Sequence, residues 1–335
     1  MHLFTTTPNP CAMSGVTIHT IRTAMAGDVA APALWKVRQL RAELVDCGLD
    51  VVHAHGMFST LAIGGLLAAH GAGIPSVTTH HSLLRQSPTL PAAWLAYRLF
   101  SRRATVVTAV SRAAADDARR ASGRADVPVL SNGLDRTMWG AGGRTAPDSP
   151  SGVIRVVSVM RLAAKKSPGD LIDAVPRVLA RVHREVVFTI VGDGGERASL
   201  ERRVRQLGVA AKVEFLGACD PARVAGVLAR STLFALPSPR EAFGLALLEA
   251  RAAGLPIVAR TGGGVPEVVE HGRQGLLAKT SHEFGDAIAT LAGDDALRRR
   301  FAEAAGDGLE EYDWDRVVDR HEAVYRHAMA ERRSG

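Results

Sequence analysis

Short apolar runs alternate with longer amphipathic stretches along the whole chain. In the first 130 residues the runs with strand character predict strands at His2–Thr7, Val16–Ile21, Val51–His53, Ser76–Thr79, Thr105–Ala109 and Val127–Leu130. Helical patterns lie between them, such as W-K-V-R-Q-L-R-A-E-L-V-D-C-G, which ends on a glycine suited to a C-cap. The stretch G-A-G-G-R-T-A-P-D-S-P-S-G, residues 140–152, has no apolar period and reads as a linker. Beyond it the alternation resumes with V-I-R-V-V-S-V, V-V-F-T-I-V-G, V-E-F-L-G, S-T-L-F-A-L-P-S and L-P-I-V-A-R, each followed by a helical pattern or a glycine-rich turn.

Strands alternating with helices imply parallel, doubly wound sheets. The expected fold class is therefore α/β, with two Rossmann-like domains facing a central cleft, where a ligand usually binds. The first domain is expected over residues 1–140 and the second over 153–310. The amphipathic segment at 311–335, which includes D-W-D-R-V-V-D-R-H-E-A-V-Y-R-H-A-M, is expected to pack back toward the first. Its D-W-D is explained by acidic residues entering a helix, favoured by capping and the macrodipole.

Composition fits this picture. The 335 residues are 47% hydrophobic, 22% charged and 5% aromatic, enough for two cores. Cys11, Cys47 and Cys219 are far apart and form no C-x-x-C pair, so neither a disulfide framework nor a zinc site is suggested. That usage, with no secretory leader pattern and no run of roughly 18 apolar residues, points to a cytoplasmic protein that is at most membrane-associated. The formal net charge is +7. Residues 1–150 carry 14 Lys and Arg against 9 Asp and Glu, leaving 27 against 25 for the remainder. A basic N-terminal half suits nucleic acid, anionic lipid or an anionic small molecule, and an arginine-rich composition explains it as well.

Four segments of the second half carry candidate chemistry. R-L-A-A-K-K, residues 161–166, follows a strand, so its cations are expected at a sheet's carboxyl edge, where they can hold a leaving diphosphate. V-G-D-G-G, residues 191–195, and T-G-G-G-V-P-E, residues 261–267, are strand-to-helix turns whose glycines permit close approach of backbone to phosphate, or serve simply as tight turns. Finally, R-E-A-F-G-L-A-L-L-E, residues 240–249, places Glu249 within an apolar helix, where an ionised carboxylate needs donors. Sugar hydroxyls or a nearby arginine would supply them.

Taken in order, these segments resemble glycosyltransferase family 4, retaining enzymes of the two-Rossmann (GT-B) fold with an E-x7-E signature, matched here by Glu241 and Glu249. The resemblance implies that Arg161 and Lys166 hold the donor diphosphate and that Glu249 accepts ribose hydroxyls. It further implies that Glu241 binds the donor sugar with the amides of Phe243 and Gly244, while Gly194, Gly263 and Gly264 line the phosphate side. Family members commonly have glycine before that arginine and after that lysine; Met160 and Ser167 stand there in this chain.

V-V-H-A-H-G-M-F-S and S-V-T-T-H-H-S-L in the first half resemble the branch that adds N-acetylglucosamine to phosphatidylinositol. That resemblance gives His81 the place of the histidine near the reacting sugar, with His55 and His80 as further acceptor-side candidates; His53 stands beside them, and a lone histidine is more often structural. The family usually opens with a strand, a glycine-rich loop and a long helix before the strand that M-H-L-F-T-T-T matches, so this chain is expected to lack that unit. The other reading makes P-N-P-C-A-M-S-G the loop, although V-T-I-H-T-I-R alternates like a strand where a helix should follow.

The expected activity is transfer of a hexose or N-acetylhexosamine from a nucleotide-sugar donor to an acceptor hydroxyl, with no metal, no organic cofactor and no nucleic-acid partner. The acceptor, a small molecule, glycan or lipid, stays unassigned. L-P-A-A-W-L-A-Y-R-L-F-S-R-R is either a helix packed on the first sheet or one lying on an anionic membrane. A phosphorylase or epimerase on the same fold, or a non-catalytic nucleotide-binding remnant, is the alternative reading.

Overall fold

The computed structural model describes residues 1–7, 10, 12–21, 25–26, 29–30, 36–56, 59–83, 90–140 and 152–334. Cys11 and nearly all of the expected linker, 141–151, lie outside them. The chain divides into two units, Met1–Ser131 with Val318–Gly335, and Asn132–Val317.

The first unit holds two short parallel sheets. His2–Thr5 (β1) pairs with Thr17–Thr20 (β2), as the alternation in V-T-I-H-T-I-R predicts. Met25–Ala26 (β3) and Val29–Ala30 (β4) form a small antiparallel pair that the sequence pattern did not announce. Val52–His55 (β5), Ser76–His80 (β6) and Val106–Ala109 (β7) form a three-stranded parallel sheet in that order. The strand expected at 127–130 contracts to one bridge, Ala109 to Val129. Pro128 lacks the amide that a longer ladder needs there.

β6 is buried along its whole length although it reads Ser-Val-Thr-Thr-His. The Thr79 and Thr108 hydroxyls lie 2.7 Å apart, and Thr108 donates to the Thr78 carbonyl at 3.3 Å. Those bonds offset the desolvation of polar groups in an interior strand.

The second unit is one six-stranded parallel sheet built from Ile154–Val159 (β8), Val186–Val191 (β9), Val213–Gly217 (β10), Leu233–Leu236 (β11), Ile257–Arg260 (β12) and Gly275–Ala278 (β13). Helices cover both faces of such a sheet, so its central strands read as unbroken apolar runs. All four residues of β11, Leu-Phe-Ala-Leu, are buried. Ile154, Val156, Phe188, Ile190, Leu233, Val258, Phe284 and Phe301 share one core, each worth about 1.5–3 kcal/mol of apolar burial.

Strand order is β10-β9-β8-β11-β12-β13. The chain builds outward from β8 to β10, then returns to the other side of β8 and builds outward again. The reversal falls between β8 and β11, and a crevice opens at the carboxyl ends of the strands flanking such a switch point.

Candidate active site

Each of the four sequence-predicted segments of the second unit leaves the carboxyl end of a central strand. Residues 160–166 follow β8, 192–196 follow β9, 237–244 follow β11 and 261–264 follow β12. Because those four strands are neighbours, their loops form one contiguous edge.

At the switch point itself the loops after β8 and β11 are joined by an ion pair. Lys166 Nζ lies 2.7 and 2.8 Å from the two carboxylate oxygens of Glu241. Glu241 is 7% exposed, and withdrawing a carboxylate so far from water is costly without such a partner. The lysine sits at the end of a 3-10 turn, Ala164–Lys166, and the next residue, Ser167, has φ 49 and ψ 46. Among the described residues Ser167 alone combines a side chain with positive φ. The glycine common at this place in the family is thereby explained, and serine costs about 1–2 kcal/mol in that conformation. The Arg161 side chain is on the surface of the same loop.

Glycines hold these loops against one another. A Cβ on Gly194 would lie 2.3 Å from the Leu162 carbonyl oxygen, and the Leu162 amide donates to the Asp193 carbonyl at 2.9 Å, so the Arg161 loop and the 191–195 turn are in backbone contact. Gly264 repeats the arrangement on the other side. A Cβ there would meet the Ala242 carbonyl at 2.3 Å, and the Gly264 amide donates to the Glu241 carbonyl at 2.8 Å. Two expected phosphate-facing amides are therefore engaged within the protein: that of Gly264, and that of Gly194, which donates to Asp193 Oδ1 at 2.7 Å. Gly263 (φ 56) and Gly244 (φ 93) occupy left-handed backbone in the turns between. Phe243 is buried with its ring edge-on to Tyr312, centroids 5.7 Å apart.

Glu249 lies one helical turn into Leu245–Ala252. Burial pushes its carboxyl up to about 7. Arg251, two residues away, does not serve as its partner. That guanidinium is buried and donates to the carbonyls of Ala305 at 2.9 Å and Val268 at 2.5 Å. A half-protonated carboxyl beside the loop edge is disposed to accept ligand hydroxyls.

The first unit gathers histidines at the carboxyl ends of β5 and β6. His55 Nδ1 and His81 Nε2 are 3.0 Å apart. His53, two residues back on the same strand face, is held by the Tyr325 hydroxyl at 2.8 Å and by Thr79 Oγ1 at 2.6 Å. His321 adds a fourth ring 5.8 Å from that of His53. Burial, with repulsion among the rings, drives His53 down to about 2 and His55 to about 4, and lowers His81. These imidazoles are neutral at physiological pH and act as hydrogen-bonding groups, not as cations. His80 points the other way, as strand alternation requires. It is 1% exposed, edge-on to the Tyr97 ring at 5.3 Å, and lowered to about 4 by burial.

Sequence reasoning offered His53 among the further histidines and Tyr325 as a packing residue of the last helix; it missed His321 and the joining of that helix to His53. His321 and Tyr325 stand four residues apart on Trp314–Ser334, a spacing that shares a helix face, but nothing in one sequence links that face to β5. It also missed Arg260, which bonds Asp170 Oδ2 at 2.7 Å and Ser281 Oγ at 3.0 Å and braces the helix behind the Lys166 turn. The first aspartate of D-W-D is held by Arg136, which grips Asp313 through two bonds of 2.5 Å.

Two family models match the chain: glycosyl transferases group 1 over residues 144–307 and glycosyltransferase family 4 over residues 1–137. The chain belongs to this glycosyltransferase family. It is 29% identical over 301 residues to the N-acetyl-alpha-D-glucosaminyl L-malate synthase of Bacillus anthracis, covering 86% of this chain and 77% of the relative. It is 31% identical to a phosphatidylinositol N-acetylglucosaminyltransferase polypeptide of Arabidopsis thaliana, covering 84% and 62%. Among solved structures it resembles Anabaena Alr3699/HepE in complex with UDP, with a TM-score of 0.74 and 26% identity over 93% of this chain and 86% of that one. The fold is that of the two-Rossmann glycosyltransferases.

Two outcomes follow from this geometry. Lys166→Ala strands the Glu241 carboxylate and should cost about 2–4 kcal/mol in chemical denaturation. Lys166→Ala/Glu241→Ala should cost less than the two single changes summed; additive losses would mean that the pair is not coupled. Acid should weaken the first unit. Its histidines bind protons more readily unfolded, near 6.5, than folded. Stability is therefore complete above about pH 6.5 and falls as pH drops toward 4, by on the order of 3 kcal/mol for His80 alone. His80→Phe should flatten that slope in pH-dependent melts; an unchanged slope would refute the assignment.

Proposed function

We propose that the protein is a retaining transferase that moves a hexose or N-acetylhexosamine from a nucleoside diphosphate to an acceptor hydroxyl, without a bound metal at the donor loops. The observation that carries this reading is the Lys166–Glu241 ion pair at the switch point, on the sheet edge from which the segments bearing Arg161 and Glu249 also leave. Support also comes from relatives whose names describe N-acetylglucosaminyl transfer and from a similar chain crystallised with UDP.

In this reading Lys166, shared between Glu241 and the diphosphate, is neutralised on one side and leaves Glu241 oriented toward donor-sugar hydroxyls. Arg161 takes the other face of the diphosphate. Charge grows on the departing diphosphate as the anomeric carbon becomes cationic, so cations already in position stabilise the transition state more than the ground state. Glu249 accepts the ribose hydroxyls, and their donation favours its carboxylate form. The neutral His81, steadied by His55, offers a hydrogen bond to a sugar or acceptor hydroxyl.

Among the described residues no helix is long and apolar enough to cross a membrane. Contact with an anionic lipid surface is supported by Leu90–Ser101, where Leu95 and Leu99, 61% and 54% exposed, sit one turn apart beside the exposed Arg98, Arg102 and Arg103. Such a surface would favour a lipid-linked acceptor.

Calorimetric titration with UDP, GDP and ADP, followed by a panel of labelled donors with the product's anomeric configuration read by NMR, tests the activity. Arg161→Ala should lower kcat/KM by about 10²- to 10³-fold. Nucleotide binding near pH 7 should release a proton, and Glu249→Gln should abolish that release while weakening affinity about 10- to 100-fold. Nucleotide binding without turnover of any donor, hydrolysis included, would discard the transferase reading. For the lipid contact, the chain should sediment with phosphatidylglycerol vesicles and not with phosphatidylcholine, and Leu95→Ser/Leu99→Ser should stay in the supernatant. Equal sedimentation of that variant would exclude the helix.

A further inference from the structure

Away from the loops considered so far, β1, β2 and the end of the helix Val37–Asp46 bring together three side chains of metal-binding type. His2 Nδ1 lies 2.9 Å from His19 Nε2, and Cys47 Sγ lies 3.8 Å from that same His19 nitrogen. All three donor atoms fall within 4.8 Å of one another, and all three residues are half-buried. We propose that His2, His19 and Cys47 form a three-donor site for a divalent transition metal of the zinc class.

The distances suit such an ion. With zinc–nitrogen bonds near 2.0 Å and a zinc–sulfur bond near 2.3 Å, tetrahedral coordination separates two nitrogens by about 3.3 Å and nitrogen from sulfur by about 3.5 Å. The His2–His19 and His19–Cys47 spacings differ from those values by a few tenths of an ångström in opposite senses, and His2 and Cys47 lie within 4.8 Å, so side-chain rotations would close the set. Two imidazoles and one thiolate make a borderline-soft donor set, preferred by zinc and cobalt(II) over calcium or magnesium. Binding displaces the Cys47 thiol proton to solvent and takes both imidazoles through neutral nitrogens, so affinity rises with pH.

The rings are already oriented. In the β1–β2 register His2 pairs with Thr17 and Phe4 with His19, which puts His2, Phe4 and His19 on one face of the strand pair. The His19 ring stacks on Phe4 with centroids 4.4 Å apart and planes 9° apart. Packing that fixes a ligand's ring plane does the work usually done by hydrogen bonds behind a metal site. A cavity of about 390 Å³, lined by His19, Thr20, Ile21, Lys36, Gln39 and Glu43, adjoins the cluster at His19 and gives solvent a route by which water would complete the coordination. Three protein donors plus water is the pattern of an open zinc position.

The ion would act as a clip. Cys47 terminates the helix Val37–Asp46, whose Leu40 and Leu44 pack with Ile21 and Phe4 in one small core. A metal bridging His2, His19 and Cys47 ties that helix to both strands of a two-stranded sheet, which is marginal by itself. The cysteine spacing rules applied to the sequence look for paired thiols close together. Donors 17 and 28 residues apart escape them.

Chelator-treated protein titrated with cobalt(II) tests the site without reference to activity. The expected result is one equivalent bound, with a thiolate-to-cobalt charge-transfer band, tetrahedral d–d bands, and displacement of both by zinc. Cys47→Ser should remove the charge-transfer band, His19→Gln should weaken cobalt binding at least tenfold, and Cys219→Ser should change neither. Zinc should also raise Tm in the unsubstituted chain and not in Cys47→Ser. If either variant fails to fold, zinc protection of Cys47 from alkylation in the unsubstituted chain, read by peptide mapping, decides the matter. Absence of the charge-transfer band, its persistence in Cys47→Ser, equal stabilisation of all variants by zinc, or alkylation of Cys47 at an unaltered rate would each overturn the proposal.

Discussion

A carboxylate withdrawn almost wholly from water needs a cation within bonding distance, and in the second unit that need determines where two loops 75 residues apart must meet. Glu241 is held by Lys166, and the meeting point is the carboxyl end of the paired strands β8 and β11, where the direction of sheet building reverses. The sheet therefore provides an opening, and the ion pair fixes which side chains border it. A surface pair of this kind would contribute little; at 7% exposure for Glu241 the pair acts as a constraint on both loops.

Backbone contact extends that constraint outward. Gly194 lies against the Leu162 carbonyl and Gly264 against the Ala242 carbonyl, each too close to admit a side chain. The loops after β9, β8, β11 and β12 thus form one assembly, in which Arg161 and Glu249 are placed by neighbours as much as by their own strands. Interlocked loops reorganise little on binding, and preorganised charges of this sort lower a barrier more than mobile ones do.

Much of this was legible in the sequence because parallel strands buried on both faces write themselves as apolar runs. All six strands of the second unit except Gly275–Ala278 were anticipated, and strand alternation placed residues 161–166 at a carboxyl edge and 191–195 and 261–267 in strand-to-helix turns. What could not be read is of another kind. The pairing of Lys166 with Glu241, the bracing of Asp170 by Arg260 and the withdrawal of Arg251 into carbonyl contacts depend on side-chain directions that spacing does not encode. In the first unit β6 reads Ser-Val-Thr-Thr-His, polar for an interior strand; the Thr79 and Thr108 hydroxyls bond each other across the sheet, while Thr78 Oγ1 and the His80 ring nitrogens are buried without a partner among the described residues. The strand anticipated at 127–130 failed for a local reason, the missing amide of Pro128.

The two units also differ in how they manage charge, and the difference suits the proposed chemistry. Loops of the second unit concentrate permanent cations, Arg161 and Lys166, where a leaving diphosphate would gain negative charge. The first unit concentrates imidazoles and keeps them neutral, through burial and mutual repulsion around His53, His55 and His81. A cationic imidazole would disfavour the positive charge that develops on a sugar in transfer, whereas a neutral one can share a hydrogen bond with a hydroxyl at no electrostatic cost. Lowered proton affinity in that cluster suits the hydrogen-bonding role proposed for it, and the fixed cations of the second sheet suit the diphosphate-holding role proposed for them.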